Sequence, residues 1–159
     1  MTSCFDRIHV NFLNVDIENK RNVIASVAAG ILFFGGWWLM IDTAANFTKT
    51  NEWSNVYIIV TIAGSIAMFM VNAVSNSQVQ GVSMDEGILG TKGSRLWLMS
   101  AFVLSFACIV AATWIMFSDY VLQKTDKSNW PGVSLFIHNF MIFMASLVYK
   151  FGRSEEHWG

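Results

Sequence analysis

Hydrophobic positions in this chain gather into four long runs that contain no Lys, Arg, Asp or Glu. They lie between Arg21 and Asp42, between Glu52 and Asp85, between Arg95 and Asp119, and between Lys127 and Lys150. A helix that crosses a bilayer needs about 20 mostly apolar residues at about 1.5 Å rise each, and every run is that long. The pattern predicts helices over 22–41, 55–74, 96–118 and 131–149. Pro131 is the only proline and suits the first turn of the fourth, where its missing N–H leaves no hydrogen bond unmade. The expected fold is an all-α membrane protein, a bundle of four transmembrane helices forming one domain over residues 1–159.

Composition supports this and removes alternatives. Of the 159 residues 54% are hydrophobic, 14% aromatic and 13% charged, with a mean hydropathy of +0.46. A soluble domain carries about a quarter charged residues, so no room remains for a soluble catalytic module. The formal net charge of −1 gives no basic surface for a nucleic acid. Cys4 and Cys108 are expected to lie too far apart to pair. The first 19 residues hold Asp6, Arg7, Asp16 and Glu18 and lack the apolar core of a cleavable signal peptide, so the first span is expected to serve as its own insertion signal.

Four spans place both termini on one side with the loop between spans two and three. That side carries seven of the ten basic residues, Arg7, Lys20, Arg21, Lys92, Arg95, Lys150 and Arg153, against Lys49, Lys124 and Lys127 opposite. The positive-inside rule therefore assigns both termini to the cytosol. Trp37, Trp38, Trp53, Tyr57, Trp114, Tyr120 and Trp130 gather at the other ends of the spans, where an interfacial aromatic belt would form. Near the amino terminus Phe5, Ile8, Phe12 and Val15 share one arc of a helical wheel. Two readings of that segment stand, an interfacial helix on the cytosolic leaflet and a partly ordered tail.

Polar groups within a membrane are costly and therefore functional candidates. Asp42, Asn72, Asn76, His138 and Asn139 make up that set. Asp42 with His138 suggests a proton or metal couple, but no second histidine or carboxylate lies at ligand spacing. The favoured reading is structural: Asp42 as a hydrated boundary residue and the others as interhelical polar contacts. No metal or other cofactor is expected. Glycines 87, 90 and 93 lack the phosphate-loop spacing and follow no strand, so they read as a connector. Small residues four apart, among them Ser26 with Gly30, Ala101 with Ser105, Ala107 with Ala111 and Cys108 with Ala112, let helix backbones approach closely.

Residues 20–42 (KRNVIASVAAGILFFGGWWLMID), 72–81 (NAVSNSQVQG), 90–98 (GTKGSRLWL) and 149–158 (YKFGRSEEHW) together resemble the transmembrane protein 50 family, which includes a fungal vacuolar-protein-sorting relative. The likeness runs over essentially the whole chain. It implies a four-span protein of the endoplasmic reticulum, Golgi or endosomes, without enzymatic activity, working in a complex with other small membrane proteins. One departure is His138, where the family pattern has an amide before the matching asparagine; this favours hydrogen bonding over catalysis.

The expected function is that of a non-enzymatic subunit or scaffold in endosomal or secretory-pathway trafficking. Its partners would be other integral membrane proteins in a hetero-oligomeric complex, with membrane lipids around it and no nucleic acid. The alternative is an accessory subunit of a lipid-transfer or lipid-handling complex in the endoplasmic reticulum. Recognition would use helix faces and a cytosolic rim of Lys20, Arg21, Arg95, Lys150, Arg153, Glu155, Glu156 and Trp158. The rim cations are expected to converge, the carboxy-terminal tail to fold back beneath them, and Asn72 and Asn76 to cap the end of span two.

Overall fold

The structure is a computed structural model that describes residues 2–49, 53–82, 88–122 and 128–153, with the side chains of residues 2–15 and of Tyr120 outside that description. Five α-helices follow one another: α1 (Thr2–Phe47), α2 (Asn55–Ala73), the short α3 (Asn76–Gln80), α4 (Gly90–Ile115) and α5 (Trp130–Gly152). Four of them are long and apolar enough to cross a membrane, over Asp16–Phe47, Asn55–Ala73, Gly90–Asp119 and Trp130–Gly152. The protein is thus an all-helical membrane protein with the four expected spans.

The ends of the helices differ from the sequence reading. The amino-terminal segment is helical, but no break separates it from the first span, so it is not a separate element. The 46 residues of α1 run about 69 Å at the ordinary rise, against about 30 Å of hydrocarbon. Asp42 does not stop this helix, because a charge at an interface is hydrated there and leaves the backbone hydrogen bonds intact. α4 starts at Gly90 rather than 96 and continues through a π-helical stretch, Met116–Val121, in which Leu122 N donates to the Phe117 carbonyl at 2.9 Å. Pro131 lies in the first turn of α5, as its missing N–H requires.

Helix α5 is the hub. It packs against α1, α2 and α4, whereas no Cα of α1 comes within 8 Å of one in α2 or α4 among the described residues. The α1–α5 seam uses small side chains spaced as on one helix face, with Ala25, Ala29, Met40 and Thr43 buried. At Gly152 a β-carbon would stand 2.6 Å from that of Ala25, so the two backbones approach closely at the last turn of α5. α4 turns Ser94, Ala101, Ser105, Cys108 and Ala112 inward, a stripe of small residues against α2, while the Ala107–Ala111 pair faces away. At the opposite end of the bundle Met40, Tyr57, Ala112 and Leu135 form a core that joins all four spans. The expected aromatic belt splits: Trp38, Trp114 and Trp130 are exposed, but Trp37 and Tyr57 turn into the bundle.

Candidate functional site

The polar residues within the spans converge where α1, α2 and α5 meet. Trp37 Nε1 donates to Ser65 Oγ at 3.1 Å, the Ser65 hydroxyl donates to the Thr61 carbonyl at 3.1 Å, and the Thr61 hydroxyl donates to the Tyr57 carbonyl at 2.8 Å. His138 is fully buried and meets the Trp37 ring edge to face, with centroids 5.6 Å apart. Its imidazole stands beside the Gly36 and Thr61 carbonyls, yet neither nitrogen makes a hydrogen bond of ordinary geometry. Asn139 Nδ2 donates to the Leu135 carbonyl of its own helix at 3.0 Å. Its Oδ1 has no partner and faces Gly64 so closely that a β-carbon there would stand 2.6 Å away.

These contacts join α1, α2 and α5. His138 and Asn139 both reach other helices, but by contact against glycine backbones rather than by side-chain hydrogen bonds. Asp42 does not join them. It is exposed and accepts from Asn46 Nδ2 at 3.3 Å within the same helix, because a carboxylate at an interface is better solvated by water and a neighbouring amide than by hydrocarbon. Among the described residues no group of three His, Cys, Asp or Glu side chains stands together as metal ligands.

A second cluster lies at the end where α1 begins and α5 ends. Lys150 is buried and its ammonium donates to the Val74 carbonyl just past α2. Arg95 Nε donates to the Val79 carbonyl at 2.8 Å, and Trp97 Nε1 to the Met70 carbonyl at 3.1 Å. Side chains from α4 and α5 thereby satisfy carbonyls that a helix end would otherwise leave open. The expectation that Asn72 and Asn76 cap span two is corrected. Asn72 Nδ2 donates back to the Met68 carbonyl at 2.8 Å. Asn76 lies inside α3, whose capping box belongs to Ser75 and Gln78. Gly81, at φ 76°, ends α3 with the left-handed turn that glycine adopts without strain.

The described rim cations Lys150, Arg95 and Arg153 each have a partner of their own. Lys150 turns inward and Arg95 toward α3. Arg153 lies over the Tyr149 ring, 5.2 Å from its centroid, and donates to the Tyr149 hydroxyl at 2.7 Å. Lys20 and Arg21 are exposed along α1. Each of the three cations nearest the helix ends thus has a carbonyl or a ring as its partner. Glu155, Glu156 and Trp158, and with them the fold-back of the tail, lie outside the described residues.

Between α1 and α2, floored by α5, is an apolar cleft of about 660 Å³ that sequence reading missed. It runs from Ser26, Asn72 and Tyr149 at the rim to Phe33 and Met68 further in. Phe33 meets Phe69 across it with ring centroids 6.2 Å apart, and the Trp37–Ser65 bond follows one turn later. Ser26 and Gly30, expected to pack helices together, instead line this open space.

Comparison with known proteins finds a family and a transmembrane relative. The model of an uncharacterised protein family, UPF0220, matches residues 4–158. A transmembrane protein 50 homolog of Dictyostelium discoideum is 31% identical, over 80% of this chain and 88% of its own. No solved structure matches.

Proposed function

Since this chain belongs to the transmembrane protein 50 family, we propose that it is a non-enzymatic subunit of a membrane-protein complex in endosomal or secretory-pathway trafficking, binding its partners through helix faces. The observation that carries this reading is how the polar residues are used. Inside the spans the buried ones bond to their own helices or pack between helices, with Trp37–Ser65 crossing from α1 to α2, while large apolar side chains dominate the outer faces: Ile24, Val27, Ile31 and Phe34 on α1, and Met99, Val103, Phe106 and Val110 on α4. The backbone of α1 comes close only to that of α5, and α1 reaches α2 through side chains at Phe33–Phe69 and Trp37–Ser65, which leaves much of its circumference for lipid or a partner helix. Affinity purification in a mild detergent tests the proposal. Recovery with other integral membrane proteins is expected, and recovery of a monodisperse, partner-free monomer would overturn it. His138→Gln is expected to preserve complex formation, since packing rather than chemistry is its role.

The second reading, an accessory subunit in lipid handling at the endoplasmic reticulum, is favoured by the cleft between α1 and α2. Altered lipid distribution with cargo sorting intact after deletion would choose it over the first.

A further inference from the structure

We infer that the cleft between α1 and α2 is a binding site for one phospholipid, with an acyl chain along Gly30 and Phe33 and its phosphate at Arg153. This goes beyond both readings above, since a bound lipid would serve a sorting subunit as well as a lipid-handling one.

Depth decides the class of occupant. From Ser26 to Phe33 the cleft follows α1 for about 10 Å, a third of the roughly 30 Å hydrocarbon core. There it is closed by the Phe33–Phe69 contact, and beyond that by the hydrogen bond from Trp37 to Ser65. A partner's spanning helix, about 10–12 Å across with its side chains, would need a groove open through the whole membrane. An acyl chain enters from one leaflet and ends within it. The volume of about 660 Å³ lies in the range of small-molecule sites, about 300–1,000 Å³.

The mouth supplies the second half of a phospholipid's chemistry. Tyr149 lines the cleft beside Asn72, and Arg153 is held against it through both ring and hydroxyl. A guanidinium fixed at the membrane boundary matches a phosphate by charge and by hydrogen-bond geometry. Lipid in a merely annular position would find no such pairing of an apolar cleft, bounded at its inner end, with a fixed cation.

Gly30 makes the site testable, because a β-carbon added there meets nothing within 4 Å and Gly30 lines the cleft, so a larger side chain grows into the cleft from an unobstructed start. The full chain would be reconstituted in phosphatidylcholine vesicles containing a phosphatidylcholine with a photoreactive group in its acyl chain. After irradiation, adducts would be mapped by mass spectrometry. Adducts are expected to concentrate in residues 26–34 and 68–73. Gly30→Trp, or Gly30→Leu where the larger residue lowers yield, should reduce them to the level on the outer face of α4. Arg153→Ala should weaken labelling by this probe but not by a diacylglycerol probe that lacks the phosphate. Even labelling of all exposed faces, indifference to the Gly30 variants, or adducts blocked by a partner's helix seated in the cleft would each overturn the inference.

Discussion

Gly64 is one of the two glycines where the bundle leaves least room. A β-carbon there would stand 2.6 Å from Asn139 Oδ1, whereas non-bonded heavy atoms settle at about 3.5–4.0 Å. Asn139 cannot swing aside cheaply: it is buried and its amide is tied to the Leu135 carbonyl. Gly64→Ala must therefore push α2 and α5 apart, and overpacking of this kind costs about 1–3 kcal/mol. Against it stands the gain from replacing a helical glycine, about 0.4–1 kcal/mol in water, which shrinks in a membrane where separated spans remain helical. A net loss of about 1–2 kcal/mol follows, or about 2–8 °C in Tm at 2–4 °C per kcal/mol. Thermal unfolding in detergent, followed by size-exclusion chromatography or tryptophan fluorescence, reads this directly. Adding Asn139→Ala to Gly64→Ala removes the offending oxygen and should recover much of the loss. An unchanged Tm in Gly64→Ala, or no recovery in the double variant, would refute the close-contact argument.

Three further changes probe the polar contacts. Lys150→Met leaves the Val74 carbonyl without this donor and should cost about 1–3 kcal/mol, with faster amide exchange over residues 72–82 by hydrogen–deuterium mass spectrometry. Ser65→Ala removes the acceptor of the Trp37 indole N–H and should lower Tm by about 2–4 °C, in keeping with a buried bond worth about 1 kcal/mol; an unchanged Tm would mean the bond does not brace α1 against α2. Arg95→Ala should speed amide exchange in α3 while leaving α2 as it was, because its bond goes to Val79. Gly152→Ala should loosen α1 from α5 near Ala25, seen as increased exchange over residues 20–30.

The spans were legible because a bilayer excludes charge from about 20 consecutive residues, and that demand is written locally. The inward faces were partly legible: the Ala101–Ser105 and Cys108–Ala112 pairs pack as small residues should, but Ala107–Ala111 has the same spacing and faces outward. Spacing fixes which residues share a face, not which face meets a neighbour. The partners of Lys150 and Arg95 were hidden for a related reason. A basic residue at a span boundary satisfies the positive-inside pattern whether it meets headgroups or another helix's carbonyl, and only the register of α5 and α4 against α2 distinguishes the two. Gly64 carried a signal, an isolated glycine inside an apolar run, but its opposing oxygen sits 75 positions later in sequence, at Asn139. The cleft had no local signal at all, since it arises from the separation of two helices that follow one another in the chain.

The same separation gives the bundle its asymmetry. α2, α4 and α5 pack against one another, while the backbone of α1 comes close only to α5 and meets α2 through side chains. With lipid as the solvent, apolar burial does not drive helices together, so association rests on close packing and on the few interhelical hydrogen bonds. For α1 these are the Ala25–Gly152 approach, the Gly36–His138 contact and the Trp37–Ser65 bond. His138 thus earns its place deep in the membrane by packing at a point where three helices meet: it abuts Gly36 of α1, stands beside Thr61 of α2, and belongs to α5. Trp37, whose ring meets His138, bonds across to Ser65 of α2 one turn from the cleft, so the internal polar row borders the surface the protein offers to its surroundings.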